Sequence, residues 1–338
     1  MRGRGIFFLP PLLLMLLLGS ASGEELPFRK ALPGYKFRFP EDHFSHEEFE
    51  TEWWYFTGHL KSGEGASYGF QLTFFRRALA RRGAPERRSR WAPRNLYFAH
   101  YAISELTRKR HRFSERMSRG ALGEAGARTD RFHVWVGDWW VRGDGEGFKL
   151  KAQDGSSALE LTLSSLKPPA LHGRQGVSQK GKGAGHASHY YSLTRLKAEG
   201  KLRLAGETMS VRGEAWMDHE WGSLKLHPYQ EGWDWFGVQL DNGHELMLYL
   251  IRHLDGKKDP YSSGTLVLPG GGTIYLSLGD FEVKALGTWQ SPLSGATYPM
   301  GWRIVVPRVG LDLTIMPSFE AQELDTRKST RVVYWEGS

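Results

Sequence analysis

Short aromatic segments separated by glycine-containing turns are the feature of this sequence that most restricts its fold. The clearest pair is residues 52–60, EWWYFTGHL, and residues 68–75, YGFQLTFF, with SGEG at 62–65 between them. Two such runs joined by a glycine-rich turn are typical of a β-hairpin. The 338 residues include 41 Gly, 13 Trp, 13 Tyr and 18 Phe. This composition predicts an all-β protein with many short antiparallel strands and argues against a helical bundle.

Part of the first hairpin recurs later in the chain. The two copies share four aligned identities: Trp53 with Trp233, Phe56 with Phe236, Leu60 with Leu240, and Gly63 with Gly243. Each copy continues into an apolar segment that ends in arginine. Chance and duplication are both open, and duplication would give two similar β units that join near residue 225.

The first 23 residues have the pattern of a secretory signal peptide. Arg2 and Arg4 precede an apolar run at 6–18, and the small residues GSASG follow at 19–23. An uncleaved membrane anchor is the alternative, although a run of about 13 residues is short for a bilayer span. We therefore expect export, to the periplasm or outside the cell. The chain has no cysteine, which excludes disulfides, thiolate metal sites and a cysteine nucleophile.

The formal net charge is +8. Residues 76–94 carry eight arginines: Arg76, Arg77, Arg81, Arg82, Arg87, Arg88, Arg90 and Arg94. A solvated loop is the plain interpretation, and electrostatic contact with an anionic membrane surface is the alternative. No RNA-binding motif studded with aromatic residues accompanies the arginines, so we expect no nucleic-acid partner. The sequence leaves the oligomeric state open.

Residues 213–222, GEAWMDHEWG, hold three titratable groups between two tryptophans. On a strand, Trp216 and Asp218 would share one face, and His219 and Trp221 the other. A carboxyl buried among aromatic rings has a raised pKa and can serve as a general acid, while a histidine can relay a proton. Asp218, His219 and Glu220 are therefore the candidate acid–base group. A structural network tying two domains together is the alternative.

Other tryptophans are candidates for binding a ligand. Trp233 and Trp235 flank Asp234, which on a strand would face away from both, exposed to solvent or polar on an inward face. Trp53 and Trp54 would point to opposite faces, one into a core or cavity and one to a domain contact. Aromatic linings suit elongated apolar ligands, and simple core packing is the alternative.

A third candidate group lies at residues 186–192, HASHYYS. His186 and His189 could converge on a metal if they lay on a helix, but the adjacent tyrosines favour a strand, so we expect no metal site. We expect tyrosine hydroxyls to line a cavity, with Tyr190 among the ligand-binding residues and Tyr191 in the catalytic group. His172 is a further cavity candidate, with a solvated loop as the alternative.

Five motifs occur in a characteristic order: EWWYFTG at 52–58, KPP at 167–169, LHG at 171–173, HYYS at 189–192 and WMDHEWG at 216–222. Together they resemble the hydroxyneurosporene synthase (carotenoid hydratase) family over residues 40–337. The resemblance is stronger to its secreted, lipocalin-like branch, whose members are often labelled predicted hydrolases.

The resemblance implies two lipocalin-like antiparallel β-barrel domains packed together. They would cover residues 42–225 and 226–338, after a lead-in segment at 24–41. An apolar ligand, such as a lipid, an isoprenoid or a polyene, would lie near their junction. No metal or nucleotide cofactor is implied.

The resemblance also implies a chemistry. In the hydratases an acid protonates an alkene and water quenches the carbocation, and their His-x-Trp pair falls on His219 and Trp221. Their proton-donating Asp lies on a later strand, and the matching residues 245–252 contain no Asp. Asp218, Glu220 or Asp234 would have to serve instead.

Other outcomes stay open at the level of sequence. The chain ends earlier than its relatives, so the second barrel could be incompletely closed or truncated. A non-catalytic carrier of an apolar ligand is the first alternative to a hydratase. A hydrolase of a lipid-like substrate is the second, although the chain has neither Gly-x-Ser-x-Gly nor His-Glu-x-x-His.

Overall fold

The computed structural model describes residues 27–79, 93–143, 147–223 and 226–338. Within these ranges the regular structure is β-sheet, with short 3₁₀ helices at Glu41–His43, Ala121–Gly123, Leu278–Asp280 and Pro307–Val309. None of the described segments forms a helix long and apolar enough to cross a membrane. The predicted signal peptide lies outside the described residues.

Strands β1 to β13 are Thr51–Ser62, Ser67–Ala78, Asn95–Glu105, Arg110–Ser118, Ala125–Ala127, His133–Val136, Trp139–Gly143, Phe148–Gln153, Ser157–Ser165, Ala170–Leu171, Val177–Gln179, Ala187–Leu204 and Glu207–Gly222. Strands β14 to β22 are Gln230–Gln239, Glu245–His253, Ser263–Val267, Thr273–Ser277, Glu282–Gln290, Thr297–Val306, Leu311–Ile315, Glu323–Asp325 and Val333–Trp335. The predicted first hairpin is confirmed as β1 and β2, whose register pairs Trp53 with Phe75.

The first unit is one large antiparallel sheet in the order β4-β3-β2-β1-β13-β12-β9-β8-β7-β6-β5, with β10 and β11 paired to β12. The sheet curls until β4 approaches β6. Arg116 on β4 donates to the Val136 carbonyl at 3.4 Å, and Ser114 donates to Asp154 at 2.9 Å. The resulting, nearly closed barrel is filled by apolar side chains, including the fully buried Trp54.

The second unit is smaller. Strands β14 to β17 form one sheet and β18 to β20 another, and a separate apolar core that includes Phe236 and Trp302 lies between them. It begins after β13 ends at Gly222. The all-β class with two lipocalin-like units packed together is thus confirmed.

The C-terminal segment, which follows β20 and contains β21 and β22, packs against the first unit. Strands β21 and β22 pair only with each other and lie on the first sheet. The Tyr334 hydroxyl accepts a hydrogen bond from Gln71 Nε2 at 3.1 Å and contacts His100 Nδ1 at 2.9 Å. The range 226–338, expected to form one barrel, is therefore divided between the second unit and the surface of the first.

Candidate functional site

A cavity of about 640 Å³ lies where the two units meet; we call it the junction cavity. One side is the outer face of β1, β2 and β13, and the other is β14 with the C-terminal segment. Its aromatic lining residues are Trp53, Tyr55, Phe75, Phe98, Trp216, Trp233, Trp235, Phe236, Trp302, Tyr334 and Trp335. The wall is thus suited to an apolar molecule.

Strand alternation divides the residues of β13 between two environments. Trp216, Asp218 and Glu220 line the junction cavity. The intervening His219 and Trp221 are fully buried on the other face, inside the first barrel. The structure therefore brings Asp218 and Glu220 to one cavity and does not bring His219 to it.

Asp218 is buried, with 4% of its surface exposed. Its Oδ1 accepts hydrogen bonds from Trp216 Nε1 at 2.6 Å and from the Ser192 hydroxyl. Burial raises the pKa of Asp218 to about 7, against these two donors, which lower it, and the nearby Glu220 raises it further. The side chain can therefore carry a proton near neutral pH and release it to a neighbouring molecule.

His172 is linked to Asp218 through Ser192. Its side chain is buried rather than exposed to solvent. Its Nε2 lies 2.6 Å from Ser192 Oγ, and its Nδ1 lies 2.9 Å from Thr265 Oγ1 on β16. The row from Asp218 to Thr265 ties the two units together. It differs from a catalytic triad because the carboxylate bonds the serine and not the histidine, and the serine is fully buried.

Glu220 is part of an ion pair. Its carboxylate lies 3.3 Å from Lys180 Nζ and accepts a hydrogen bond from Ser188. Burial raises the pKa of Glu220, and the charge of Lys180 opposes that rise. A carboxylate held beside an ammonium group is a weaker proton donor than Asp218.

The two β14 tryptophans both reach the junction cavity. Trp235 Nε1 donates to the Tyr190 hydroxyl at 3.1 Å, so Tyr190 belongs to the contact between the units. Asp234 also borders the cavity, where it forms an ion pair with Arg252. Burial raises the pKa of Asp234, and Arg252 lowers it.

Glu52 forms a second polar cluster, inside the first barrel. Its carboxylate accepts from Arg76 Nε at 3.1 Å and contacts His46 Nδ1 at 2.9 Å and His219 Nε2 at 3.0 Å. Burial alone would raise the pKa of Glu52, but the hydrogen bonds of both histidines and the charge of Arg76 hold it well below its usual range. Burial lowers the pKa of His219 to about 4.

His46, Glu52 and His219 are also the one group among the described residues whose donor atoms could surround a metal ion. Both ring nitrogens of His46 face carboxylates, at 2.9 Å from Glu52 and 3.1 Å from Asp42. Burial lowers the pKa of His46, but these two carboxylates outweigh it and raise the pKa to about 9. In its protonated form His46 donates from both ring nitrogens to the two carboxylates, and the group is then an ion cluster.

Three other predicted residues lie inside the first barrel. The Tyr191 hydroxyl is 2.5 Å from His43 Nδ1 and 3.2 Å from His219 Nδ1. Trp54 stacks on His219 with ring centroids 4.9 Å apart, and Trp221 stacks on His46 at 3.8 Å. These residues are therefore separated from the junction cavity by the sheet itself.

The arginine-rich segment is described only at its ends, since residues 80–92 lie outside the described ranges. Arg76 is buried against Glu52, Arg77 pairs with Glu50 at 2.7 Å, and Arg94 is exposed. Arg76 thus supports the barrel interior and is not a surface charge. Membrane contact by the rest of the segment stays a prediction.

Tyr55 and Glu336 are among the cavity residues that the sequence reasoning missed. The Tyr55 hydroxyl donates to the Glu336 carboxylate, and both side chains line the junction cavity. Strand alternation with Trp53 was a signal for Tyr55. Glu336 had no signal, because only the return of the C-terminal segment to the first sheet brings it there.

Comparison with known proteins identifies solved structures that are similar to this chain. A candidate AttH protein from Nitrosomonas europaea is similar to the chain, with 33% identity and a TM-score of 0.83, over 92% of this chain and 93% of that one. Kievitone hydratase from Nectria haematococca shares the fold at 14% identity and a TM-score of 0.67, over 89% and 86%. Among curated protein sequences, none matches.

The sequence itself carries the family assignment. Residues 30–338 match the AttH-like family, and this range covers both units and the C-terminal segment that completes the junction cavity. The chain belongs to the AttH-like family.

Proposed function

We propose that this protein binds a neutral, unsaturated apolar molecule, such as an isoprenoid or polyene, in the junction cavity and adds water to it without a cofactor. Asp218 is the general acid. The observation that carries the proposal is the buried Asp218 carboxyl, with its pKa raised to about 7, on the wall of a cavity lined by tryptophans. A general acid works best when its pKa lies near the operating pH.

The reaction needs only a proton donor, a surface that stabilises a cation, and water. Asp218 gives its proton to one alkene carbon, the π electrons form the new C–H bond, and a carbocation is left on the other carbon. Tryptophan faces stabilise a cation through their ring quadrupole, and Trp216, Trp233 and Trp235 line the same space. Water then forms the C–O bond and loses a proton, which gives an alcohol.

The charges around the cavity favour an uncharged ligand. Five carboxyl groups line it, on Glu52, Asp218, Glu220, Asp234 and Glu336. The lysine and arginine side chains among its described lining residues are Arg76 and Arg77, and both are already paired with glutamates. A fatty acid carboxylate would therefore meet like charge, and the described part of the lining offers it no unpaired cation.

The comparisons support this proposal at the level of fold. Kievitone hydratase, which shares the fold, is named as a hydratase, and the motif resemblance points to carotenoid hydratases. The proton-donating Asp of those hydratases has no counterpart at residues 245–252, where β15 lies. We assign its role to Asp218 because Glu220 and Asp234 are held by cations.

A carrier without turnover is the second candidate. The aromatic residues of the wall support it, since binding alone needs only apolar surface. We also propose that residues 1–23 direct export and that arginines at 81–94 contact anionic lipid. Salt-insensitive binding to vesicles of anionic phospholipid would contradict that contact.

The proposal is tested with farnesol, a neutral isoprenoid alcohol, and with farnesoic acid, its carboxylate counterpart. Quenching of tryptophan fluorescence should report binding of farnesol and at least tenfold weaker binding of the acid. Mass spectrometry after incubation in ¹⁸O-labelled water should show a labelled hydration product of farnesol. Binding without product would favour the carrier, and equal binding of both compounds would contradict selection of a neutral ligand.

A further inference from the structure

The C-terminal segment forms part of the wall of the junction cavity. Its Tyr334 bonds Gln71 on β2 and contacts His100 on β3. The other nitrogen of His100 lies 3.0 Å from Ser329 Oγ. These contacts are buried and join different strands, so the segment holds the neighbouring Glu336 in a fixed position on the cavity wall.

Tyr55 links Glu336 to the strand that carries Asp218. The Tyr55 hydroxyl donates to Glu336 Oε1. In the β1–β13 pairing, Tyr55 lies directly opposite Asp218, and directly opposed residues of paired strands point to the same side of the sheet. Burial, and then the charges of Glu336 and Asp218, raise the pKa of Tyr55 well above its usual range, so it stays a hydrogen-bond donor.

Glu336 and Asp218 differ from Glu220 and Asp234 in the charge of their partners. Glu220 pairs with Lys180 and Asp234 with Arg252, and the nearby Arg77 pairs with Glu50. The hydrogen bonds described above for Asp218 and Glu336 come instead from neutral groups. Burial raises the pKa of Glu336 to about 7, against the Tyr55 hydrogen bond, as it does for Asp218.

We propose that Glu336 is the second acid–base group of the junction cavity and accepts the proton of the water that adds to the alkene. This assignment rests on the hydratase function proposed above. Asp218 starts protonated and Glu336 starts ionised. As the C–O bond forms, the water proton passes to Glu336, directly or through Tyr55. Afterwards Glu336 releases a proton to bulk water and Asp218 takes one up, so alkene and water give one alcohol.

Variants at three positions test the assignment by hydration of farnesol in ¹⁸O-labelled water. We expect Glu336→Gln, which can still accept the Tyr55 hydrogen bond, to lower kcat about 100-fold with KM changed less than about threefold. Tyr55→Phe should give a smaller loss. The control Glu320→Gln removes an exposed carboxyl of the same segment and should keep wild-type kcat. Wild-type kcat in Glu336→Gln would overturn the assignment while the hydratase function stands.

A titration decides the assignment even if the wild-type chain does not hydrate farnesol, a result that would refute the hydratase function. Carboxyl groups labelled with ¹³C are followed by NMR from pH 4 to 9. A resonance that titrates near neutral pH and vanishes in Glu336→Gln, but persists in Asp218→Asn and Glu320→Gln, supports Glu336 as a proton-exchanging group. If Glu336 is instead fully ionised by pH 5, the assignment is overturned.

Discussion

Glu52 and Asp218 are two buried carboxyl groups on neighbouring strands of one sheet, and they have opposite proton affinities. Both have less than a twentieth of their surface exposed, at 1% and 4%. Glu52 points into the barrel, where Arg76 and protonated His46 surround it, and its pKa is held below its usual range. Asp218 points into the junction cavity toward neutral donors, and its pKa rises to about 7.

The difference teaches that burial does not fix the ionisation of a carboxyl group; its partners do. The desolvation cost is present on both faces of the sheet. On the inner face, cations offset it and leave a permanent carboxylate that holds the barrel together. On the outer face the described hydrogen-bond donors to Asp218 are neutral and offset the cost only in part, so its pKa rises.

The largest effect should follow from removing the cation beside Glu52. Arg76→Met leaves a carboxylate buried without its guanidinium, so the free energy of unfolding should fall by about 3–5 kcal/mol. Chemical denaturation measures this loss. The adjacent control, Arg77→Met, breaks a partly exposed pair with Glu50 and should cost about 1 kcal/mol or less. Equal losses in both variants would contradict the special role of the inner cluster.

Replacing Asp218 by a neutral residue should instead lower activity strongly and change stability little. Asp218→Asn removes the proton donor, so hydration of farnesol should fall at least about 100-fold. Stability at pH 7 should match or exceed that of wild type, because a costly buried charge is gone. Asp241→Asn, on an exposed turn, is the control and should keep both properties. A stable, fully active Asp218→Asn variant would remove Asp218 from the mechanism.

The two carboxyl groups should also give pH dependences of opposite sign. The pKa of Asp218 rises from 3.8 to about 7 on folding, so between these values the folded state binds more protons and stability falls as pH rises. The slope from this group is at most about 1.4 kcal/mol per pH unit. Glu52 has a lowered pKa, so its contribution is lost as pH falls below about 4.5.

Unfolding curves of wild type and Asp218→Asn across pH 4–8 separate these contributions. The variant should gain stability relative to wild type as pH rises through this range. Both proteins should begin to lose stability together below about pH 4.5, because Glu52 takes up a proton in the unfolded chain while it stays ionised in the folded one. A constant difference at every pH would mean that Asp218 is ionised throughout.

The smallest effect should come from one donor to Asp218. Trp216→Phe keeps an aromatic wall but removes the indole N–H that donates at 2.6 Å to the carboxylate. A hydrogen bond of about 1 kcal/mol stabilises the ionised form, so the pKa of Asp218 should rise by less than about one unit. Trp233→Phe changes the same cavity from the second unit and should leave that pKa unchanged, as measured by carboxyl NMR.

The internal repeat shows how much of the fold local pattern determines. Trp53 and Trp233, aligned in sequence, both line the junction cavity. Phe56 lies in the core of the first unit, and Phe236 lies in the core of the second unit and also borders the cavity. On β1, alternation is enough to separate Trp53 from Phe56, because a period of two assigns successive side chains to opposite faces. On β14 it is not enough, since residues from both faces reach the cavity.

The candidate site was predictable only in part. Alternation separates Asp218 from His219, and the tryptophans of β13 and β14 identify an aromatic wall. It does not say which face meets a cavity, so His219, Tyr191, Trp54 and Trp221 could not be assigned to the barrel interior. That choice depends on packing against the second unit and on residues 42–50 before β1, which bring His46 and Asp42 to Glu52.

The sequence by itself determined the strands, the alternation of their faces and the presence of carboxyl groups among tryptophans, because these depend on residues close together in the chain. Only the tertiary structure decided which carboxyl group stays ionised and which keeps a proton. Arg76 lies 24 residues from Glu52, and Glu336 lies 281 from Tyr55. Charge balance is set by neighbours in space, and those neighbours exist only after the sheets have closed and packed.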